Sequence, residues 1–510
     1  MNTEAILYAK AKDSANNNKY ELAIECYKQL EQITSNPYFL INYLTELGAI
    51  YELLNKNLEA ITECYVKIIK LHPNNGVILN QIGICYFNQG QFKLAIHNFK
   101  KILKIKELPD VYNNIGNCYV NMADYKNAEK NFLASYNLDK TNDLTNSLLG
   151  SLFYYTKQYD TSIMHYEKIK NINVIDKNLY NLCFPYLAKK QFEKGFELYE
   201  TRLNINSTTG NQNLHDRVQI PFLQNWNGTD KCDRLLVAGE QGLGDMIQYY
   251  RFILELADSH PEIKITFFCK LELAHLFESF GKFDVVTEFN YVTLSVFEYK
   301  AYLMSLPRLL RVKNIIPNSI EYIKTDNDKI LKWKTRLNQI SDRPKVGFVY
   351  SGLLSSFIEK HIPLEEFKIL CDLDVDLICI HRKSDISKDI ENYESHAQPN
   401  NRIHFIDIDN KDNGNEPFED TVNILKSLDL LITIDTITVH LAGVLNIKTW
   451  LLLGHSEWRW SDDPTSTYWY NSVELIRTTG ENFKDILKTK VKDKLSLFLT
   501  QLANSHSHVI

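Results

Sequence analysis

Four glycines recur at nearly constant spacing in the first part of this 510-residue chain: Gly48, Gly83, Gly116 and Gly150 lie 35, 33 and 34 residues apart. Tyr51, Tyr86 and Tyr119 follow the first three by three positions, and Ala60, Ala95, Ala128 and Ser162 follow all four by twelve. Aromatic residues come four positions later still, at Phe99, Phe132 and Tyr166. A unit of this length holds one helical hairpin and cannot bury its own apolar face, so each unit must stack on the next. Weaker copies, one ending near Ala23 and Tyr27 and one around Cys183, Tyr186, Gly195 and Tyr199, extend the repeat region over residues 1–205.

This pattern resembles the tetratricopeptide repeat, in which the glycine lets two helices approach closely and the small residue sits at their crossing. The resemblance implies an α-solenoid with a concave groove lined by the first helix of each pair. The position three before each glycine is always polar: Thr45, Asn80, Asn113 and Ser147. Asn80 and Asn113 are therefore expected to line the groove, where an amide can bind the main chain of a polypeptide; the other reading is that the repeats are only a spacer.

A polar stretch, NINSTTGNQNLHDRVQIP, then marks a linker placed at 206–232. Beyond it short apolar runs alternate with helical patterns. RLLVAG, KITFFC and DVVTEF form one series, and KVGFVYSG, VDLICIHR, IHFIDID, LLITIDT and KTWLLLG a second. Such alternation predicts parallel sheets covered by helices, and two series predict two Rossmann-like lobes, 233–340 and 341–505, with ligands at the carboxyl ends of the strands. The expected class is thus α plus α/β.

Two strand ends carry the chemistry. The first reads LVAGEQGLGD and opens a helix, so Glu240, Gln241, Gly242 and Gly244 form a glycine loop ahead of Asp245. No Lys-Ser/Thr follows and no GxGxxG is present, which excludes a Walker loop and a dinucleotide fingerprint. The second reads LITIDTITVHLAG: Asp435 stands at the strand tip, Thr436 and Thr438 can cap the next helix, and His440 lies one turn beyond Thr436 on the same face. A helix start of this kind is suited to a diphosphate.

Together, EQGLGDMIQYYRF, VGFVYSG with Lys360-His361-Ile362-Pro363-Leu364 after it, SLDLLITIDTITVHLAG, and His455-Ser456-Glu457-Trp458-Arg459-Trp460 resemble the heptosyltransferase-like family of glycosyltransferases, most closely its repeat-bearing bacterial members. The segments Tyr199-Glu200-Thr201-Arg202 and Asn225-Trp226-Asn227-Gly228 belong to the same resemblance. It implies a GT-B unit and an inverting, metal-independent transfer of a sugar from a nucleotide diphosphate donor to a protein or glycan hydroxyl. It further implies that Asp245 is the general base, that Gly352, Lys360, Asp435, Thr436, Thr438 and His440 hold the donor, and that Glu240, Gln241, Gly242 and Gly244 form the acceptor-side loop. The segment between Gly352 and Lys360, LLSSFIE, lacks the Asn, His and Asp of the repeat-bearing relatives. That departure keeps a second reading open, a repeat scaffold whose transferase half only binds.

Composition limits the other classes. Lys plus Arg number 57 against 63 Asp plus Glu, a net charge of −6, so nucleic acid is not an expected partner. No apolar stretch reaches the ~18 residues of a membrane span and no leader pattern opens the chain, which predicts a cytoplasmic protein. The nine cysteines form no CxxC and read as reduced core thiols. Asp407 and Asp409 make a D-x-D at a strand end, but the surrounding alternation favours a site without metal or other cofactor. Trp458 and Trp460 are expected to pack rather than to stack on sugar.

Overall fold

The computed structural model describes residues 3–54, 58–170, 175–205, 220, 222–317, 321–352, 361–395, 402–410, 416–454, 457–478 and 482–507. Lys360 and the segment 353–359 lie outside the described residues, as do His455 and Ser456. The chain divides into two compact units, Met1–Leu182 and Cys183–Ile510, with the boundary inside a helix, α11 (Ile175–Ala188).

The first unit is helical. Its helices pair in sequence order: α1 (Thr3–Asn16) with α2 (Tyr20–Ile33), α3 (Pro37–Leu53) with α4 (Leu58–Leu71), α5 (Gly76–Asn88) with α6 (Phe92–Ile105), α7 (Pro109–Asn121) with α8 (Tyr125–Leu138), and α9 (Asp143–Tyr155) with α10 (Tyr159–Tyr166). Each pair packs on the next. The glycine period has a direct steric cause: a Cβ on Gly83 would lie 2.4 Å from the Phe99 ring, one on Gly116 2.3 Å from Phe132, and one on Gly150 2.8 Å from Tyr166. The small residues Ala95, Ala128 and Ser162 are fully buried on the facing helices.

Asn113 does not line a groove. It is buried, and its amide donates to the Thr145 hydroxyl at 2.9 Å, which in turn bonds Ser135 at 2.9 Å. Burial leaves a polar side chain only protein partners, and here they sit on the neighbouring helices α8 and α9. Asn80 is half-buried, and its carbonyl accepts from Asn114 at 3.3 Å. Asn80 and Asn113 thus tie repeat to repeat, whereas the Thr45 hydroxyl donates to the Ile41 carbonyl of its own helix.

In the second unit α11 continues into α12 (Phe192–Tyr199), and two parallel sheets follow. The first, in the order β1-β5-β2-β3-β4, contains β1 (Gln224–Asn225), β2 (Arg234–Ala238), β3 (Lys264–Phe268), β4 (Asp284–Val286) and β5 (Tyr299–Tyr302). Its helices are α13 (Leu243–Tyr249), α14 (Arg251–Ser259), α15 (Leu271–Phe280), α16 (Tyr291–Leu294) and α17 (Leu306–Leu309). After α18 (Asn327–Asn338) comes the second sheet, in the order β11-β10-β9-β6-β7-β8. It contains β6 (Lys345–Val349), β7 (Asp376–Cys379), β8 (Ile403–Phe405), β9 (Leu430–Ile434), β10 (Thr449–Leu453) and β11 (Val473–Arg477). Helices α19 (Ser387–Ser395), α20 (Glu419–Leu425), α21 (Ile437–Val444) and α22 (Lys492–Ser507) complete the unit.

The central strands β6, β9 and β10 are buried throughout, as their largely apolar sequences require in a sheet covered on both faces. Three strands escape the sequence reading. β1 is two residues long, β5 contains the buried Lys300, whose ammonium bonds the Ile220 carbonyl, and β11 (VELIR) is an edge strand interrupted by Glu474 and ending in Arg477. The order of each sheet reverses direction once, between β2 and β5 in the first and between β6 and β9 in the second. Ligands of open α/β sheets gather at such switch points.

Candidate active site

Gly239 follows the end of β2, and a Cβ there would lie 3.0 Å from the Phe268 carbonyl and from the Met246 sulfur. The next two residues turn away from the cavity. Glu240 is buried, and its carboxylate accepts from Arg202 Nη2 at 2.6 Å and from the Met304 amide at 3.1 Å. Gln241 takes a left-handed backbone, φ 66°, and donates its amide to the Tyr199 hydroxyl at 2.6 Å. Neither lines the cavity, so the expectation that Glu240 and Gln241 form an acceptor loop is corrected: they anchor the loop to the Tyr199–Arg202 segment. This anchor fixes the start of α13.

Gly242, Leu243, Gly244 and Asp245 do face a cavity of about 700 Å³, and Ser351, Gly352, Asp435, Thr436, Thr438 and His440 line it from the second sheet. The carboxyl ends of β2, β6 and β9 therefore meet in one space. Helix α13 packs on α21, and Gly244 is the point of approach: a Cβ there would lie 2.7 Å from His440 Cδ2. A Cβ on Gly352 would lie 2.9 Å from Thr436 Cγ2. These two glycines are required by packing around the cavity whether or not a ligand touches them.

Asp245 is the third residue of α13, and one carboxylate oxygen accepts from the Gly242 amide at 3.1 Å, capping the helix. The other oxygen pairs with Arg459 Nη2 at 3.0 Å. Arg459 also lines the cavity, and its Nη1 meets Glu457 at 2.6 Å. Burial works against the Arg459 charge, but the carboxylates of Asp245 and Glu457 more than restore it and hold the group well above its usual range. Trp458 packs on Phe196, with ring centroids 6.1 Å apart, and Trp460 stacks on His440 at 5.4 Å. Both tryptophans are buried, as expected for packing residues. Sequence reasoning misses Arg459 as a site residue; the signal for it is an arginine between two tryptophans, just beyond the carboxyl end of β10.

At the second sheet Thr436 is the N-cap of α21, yet its side chain makes no capping bond and its hydroxyl is buried without a partner among the described residues. The first amides of α21 therefore receive no side-chain oxygen from Thr436, and this helix start can accept an anion. His440 is buried, with Nδ1 3.0 Å from the Tyr470 hydroxyl, which leaves its other edge against Gly244. His381, at the end of β7, also lines the cavity; it accepts from the Tyr350 amide at 3.3 Å, and burial lowers its pKa to about 4, so it is neutral.

Asp407 and Asp409 have separate hydrogen-bond partners, and Asp409 lines the cavity. Asp409 accepts from the Asp420 and Thr421 amides at 2.8 and 3.2 Å at the start of α20, and burial raises its pKa to about 6 despite those bonds. Asp407 accepts from Asn410 at 2.8 Å. Among the described residues no group of three or more His, Cys, Asp or Glu is placed to hold a metal ion, and no described helix is long and apolar enough to cross a membrane.

Comparison with known proteins identifies the repeats. Residues 64–97 and 109–142 each match the family described as Tetratricopeptide repeat. A tetratricopeptide repeat protein from Parabacteroides merdae is similar at 19% identity, covering 39% of this chain and 79% of that one, with a TM-score of 0.35. The C-terminal part of a TPR repeat-containing protein from Cytophaga hutchinsonii is similar at 18% identity, 41% and 86% coverage and a TM-score of 0.34. Protein FlbA of Caulobacter vibrioides is 24% identical over 323 residues, 57% of this chain, and the chain spans about half the length of that relative. The chain therefore carries tetratricopeptide repeats in an N-terminal helical solenoid, followed by α/β regions built on two parallel sheets.

Proposed function

We propose that the second unit is a GT-B-type, inverting glycosyltransferase that moves a sugar from a nucleotide diphosphate donor to a hydroxyl. The observation that carries this reading is the convergence of Asp245 from the first sheet and the α21 start from the second on a single cavity at both switch points. In this reading the diphosphate lies against Thr436 and the amides of α21, whose dipole favours negative charge. Asp435 and His440 flank the sugar side, and Asp245 faces the acceptor. The acceptor oxygen attacks the anomeric carbon as the bond from that carbon to the phosphate oxygen breaks. Asp245 takes the hydroxyl proton, and the nucleoside diphosphate leaves as an anion. Helix dipole and guanidinium then hold the leaving charge without a metal. The repeats supply a surface for a polypeptide acceptor.

One observation favours the second reading, a binding scaffold: both Asp245 oxygens already have protein partners, Gly242 and Arg459. A panel of nucleotide sugars separates the two. The transferase reading expects thermal stabilisation by one donor, of about 2.7 kcal/mol at a hundred times its Kd, unchanged by chelator, and turnover with an acceptor. Stabilisation without turnover on any protein or glycan acceptor would leave the scaffold.

A further inference from the structure

We propose that Arg459 is a latch on Asp245 that the anionic part of the donor opens, so that the carboxylate becomes available to the acceptor only when the donor is bound. This rests on the transferase reading and adds a regulation of the same site.

The geometry comes from the guanidinium. An arginine presents Nε and Nη2 along one edge, which matches two oxygens of a carboxylate or phosphate. This protein uses that edge elsewhere: Arg202 grips Glu240 with Nε at 3.2 Å and Nη2 at 2.6 Å. Arg459 has the same edge half-used. Its Nη2 meets Asp245 at 3.0 Å and its Nη1 meets Glu457 at 2.6 Å, while its Nε is buried with no partner among the described residues. A buried charged donor without an acceptor is costly, so the edge favours a ligand able to supply two oxygens.

The Thr436 hydroxyl on the same cavity wall is also buried without a partner among the described residues, at the start of α21. Two orphan donors and a helix start on one cavity mark an anion position. The described lining is otherwise poor in available cations, because Arg382 is engaged by Asp385 at 2.9 Å. An oxyanion that takes Nε and Nη2 of Arg459 competes with the Asp245 oxygen for Nη2 and for the charge of the guanidinium. Asp245 keeps its bond to the Gly242 amide and so stays in place, with its other oxygen released toward the cavity. While that oxygen is paired with Arg459 it is held away from an acceptor hydroxyl.

Calorimetric titration of the full chain with UDP, GDP and ADP, and with the corresponding nucleosides, tests this without needing turnover. Asp245→Asn keeps the helix cap but drops the competing charge, so the diphosphate that binds wild type should bind about 3- to 10-fold tighter. Arg459→Lys, a point charge without the fork, should weaken the diphosphate while leaving the nucleoside unchanged, and adding Asp245→Asn to it should bring back little of the gain. Diphosphate affinity that is unchanged or weaker in Asp245→Asn overturns the latch and leaves the transferase reading standing. If none of the three diphosphates binds wild type, the transferase reading falls and the latch with it.

Discussion

Arg202 and Glu240 form an ion pair in which the two side chains are only 2% and 3% exposed, with Nη2 2.6 Å from the carboxylate, and this pair sets where the loop after β2 can go. Glu240 is held by Arg202 and by the Met304 amide, Arg202 is itself braced by the Ser305 hydroxyl, and Gln241 reaches back to Tyr199. The motif residues on either side of the linker thus act as one structural unit, and the cavity-facing residues begin at Gly242.

Breaking that pair from one side should be costly. Arg202→Met leaves a buried, uncompensated carboxylate and is expected to destabilise by about 3–5 kcal/mol, whereas the double variant Arg202→Met/Glu240→Gln should regain much of the loss. Urea unfolding of the three proteins checks this, and a double variant no better than the single one would assign the cost to packing instead.

Asp245→Asn is expected to lower turnover by about 100-fold or more, because an amide cannot accept the hydroxyl proton. Asn at this third position can still accept from the Gly242 amide, but the change removes the charge paired with Arg459, so the melting temperature should fall modestly. Rate and melting curve measured on the same preparation decide the matter: a normal rate would leave Asp245 only its structural contacts, the bond from Gly242 and the ion pair with Arg459.

In the repeats, Gly116→Ala would put a Cβ 2.3 Å from the Phe132 ring, which is itself buried. The ring is boxed in, so the expected cost is about 1–3 kcal/mol. Gly116→Ala combined with Phe132→Leu should recover part of it, and thermal denaturation of the single and double variants gives the comparison. At Gly48 the corresponding distance, to Tyr65, is 3.2 Å, so Gly48→Ala should cost less.

His165 is buried beside Asn146, with Nδ1 3.0 Å from the amide oxygen, and burial lowers its pKa to about 4 from an ordinary 6.5. The folded chain therefore binds this proton less readily than the unfolded one. The stability it protects is complete above about pH 6.5 and is lost as the pH falls toward 4, by on the order of 2 kcal/mol. Chemical denaturation at pH 7 and pH 4.5 should show this loss, with a smaller one in His165→Gln.

Local pattern made much of this molecule legible. The glycine period revealed the helix pairs because the close approach of Gly83 to Phe99 and of Gly116 to Phe132 is repeated at fixed spacing, and steric need of that kind is written into residue type. The long apolar runs revealed β2, β6, β9 and β10, since a strand covered on both faces has few polar positions to disguise it. Asp245, Asp435, Thr436 and His440 could be picked out as ends of strands or starts of helices for the same reason.

Residue type and chain order were thus enough to pick out the helix pairs and the central strands, and the polar residues at their ends, but not the strands β1, β5 and β11. The direction in which those polar residues point came from three-dimensional packing alone. Asn113 and Glu240 sit in motif positions as prominent as that of Asp245, yet one is used between repeats and the other is sealed against Arg202. Arg459 lies far along the chain from Asp245 and still forms its ion pair. Hydrogen bonds and ion pairs are satisfied by whichever group the packing brings within about 3 Å, and that neighbour is fixed by the crossing of sheets and helices rather than by chain order.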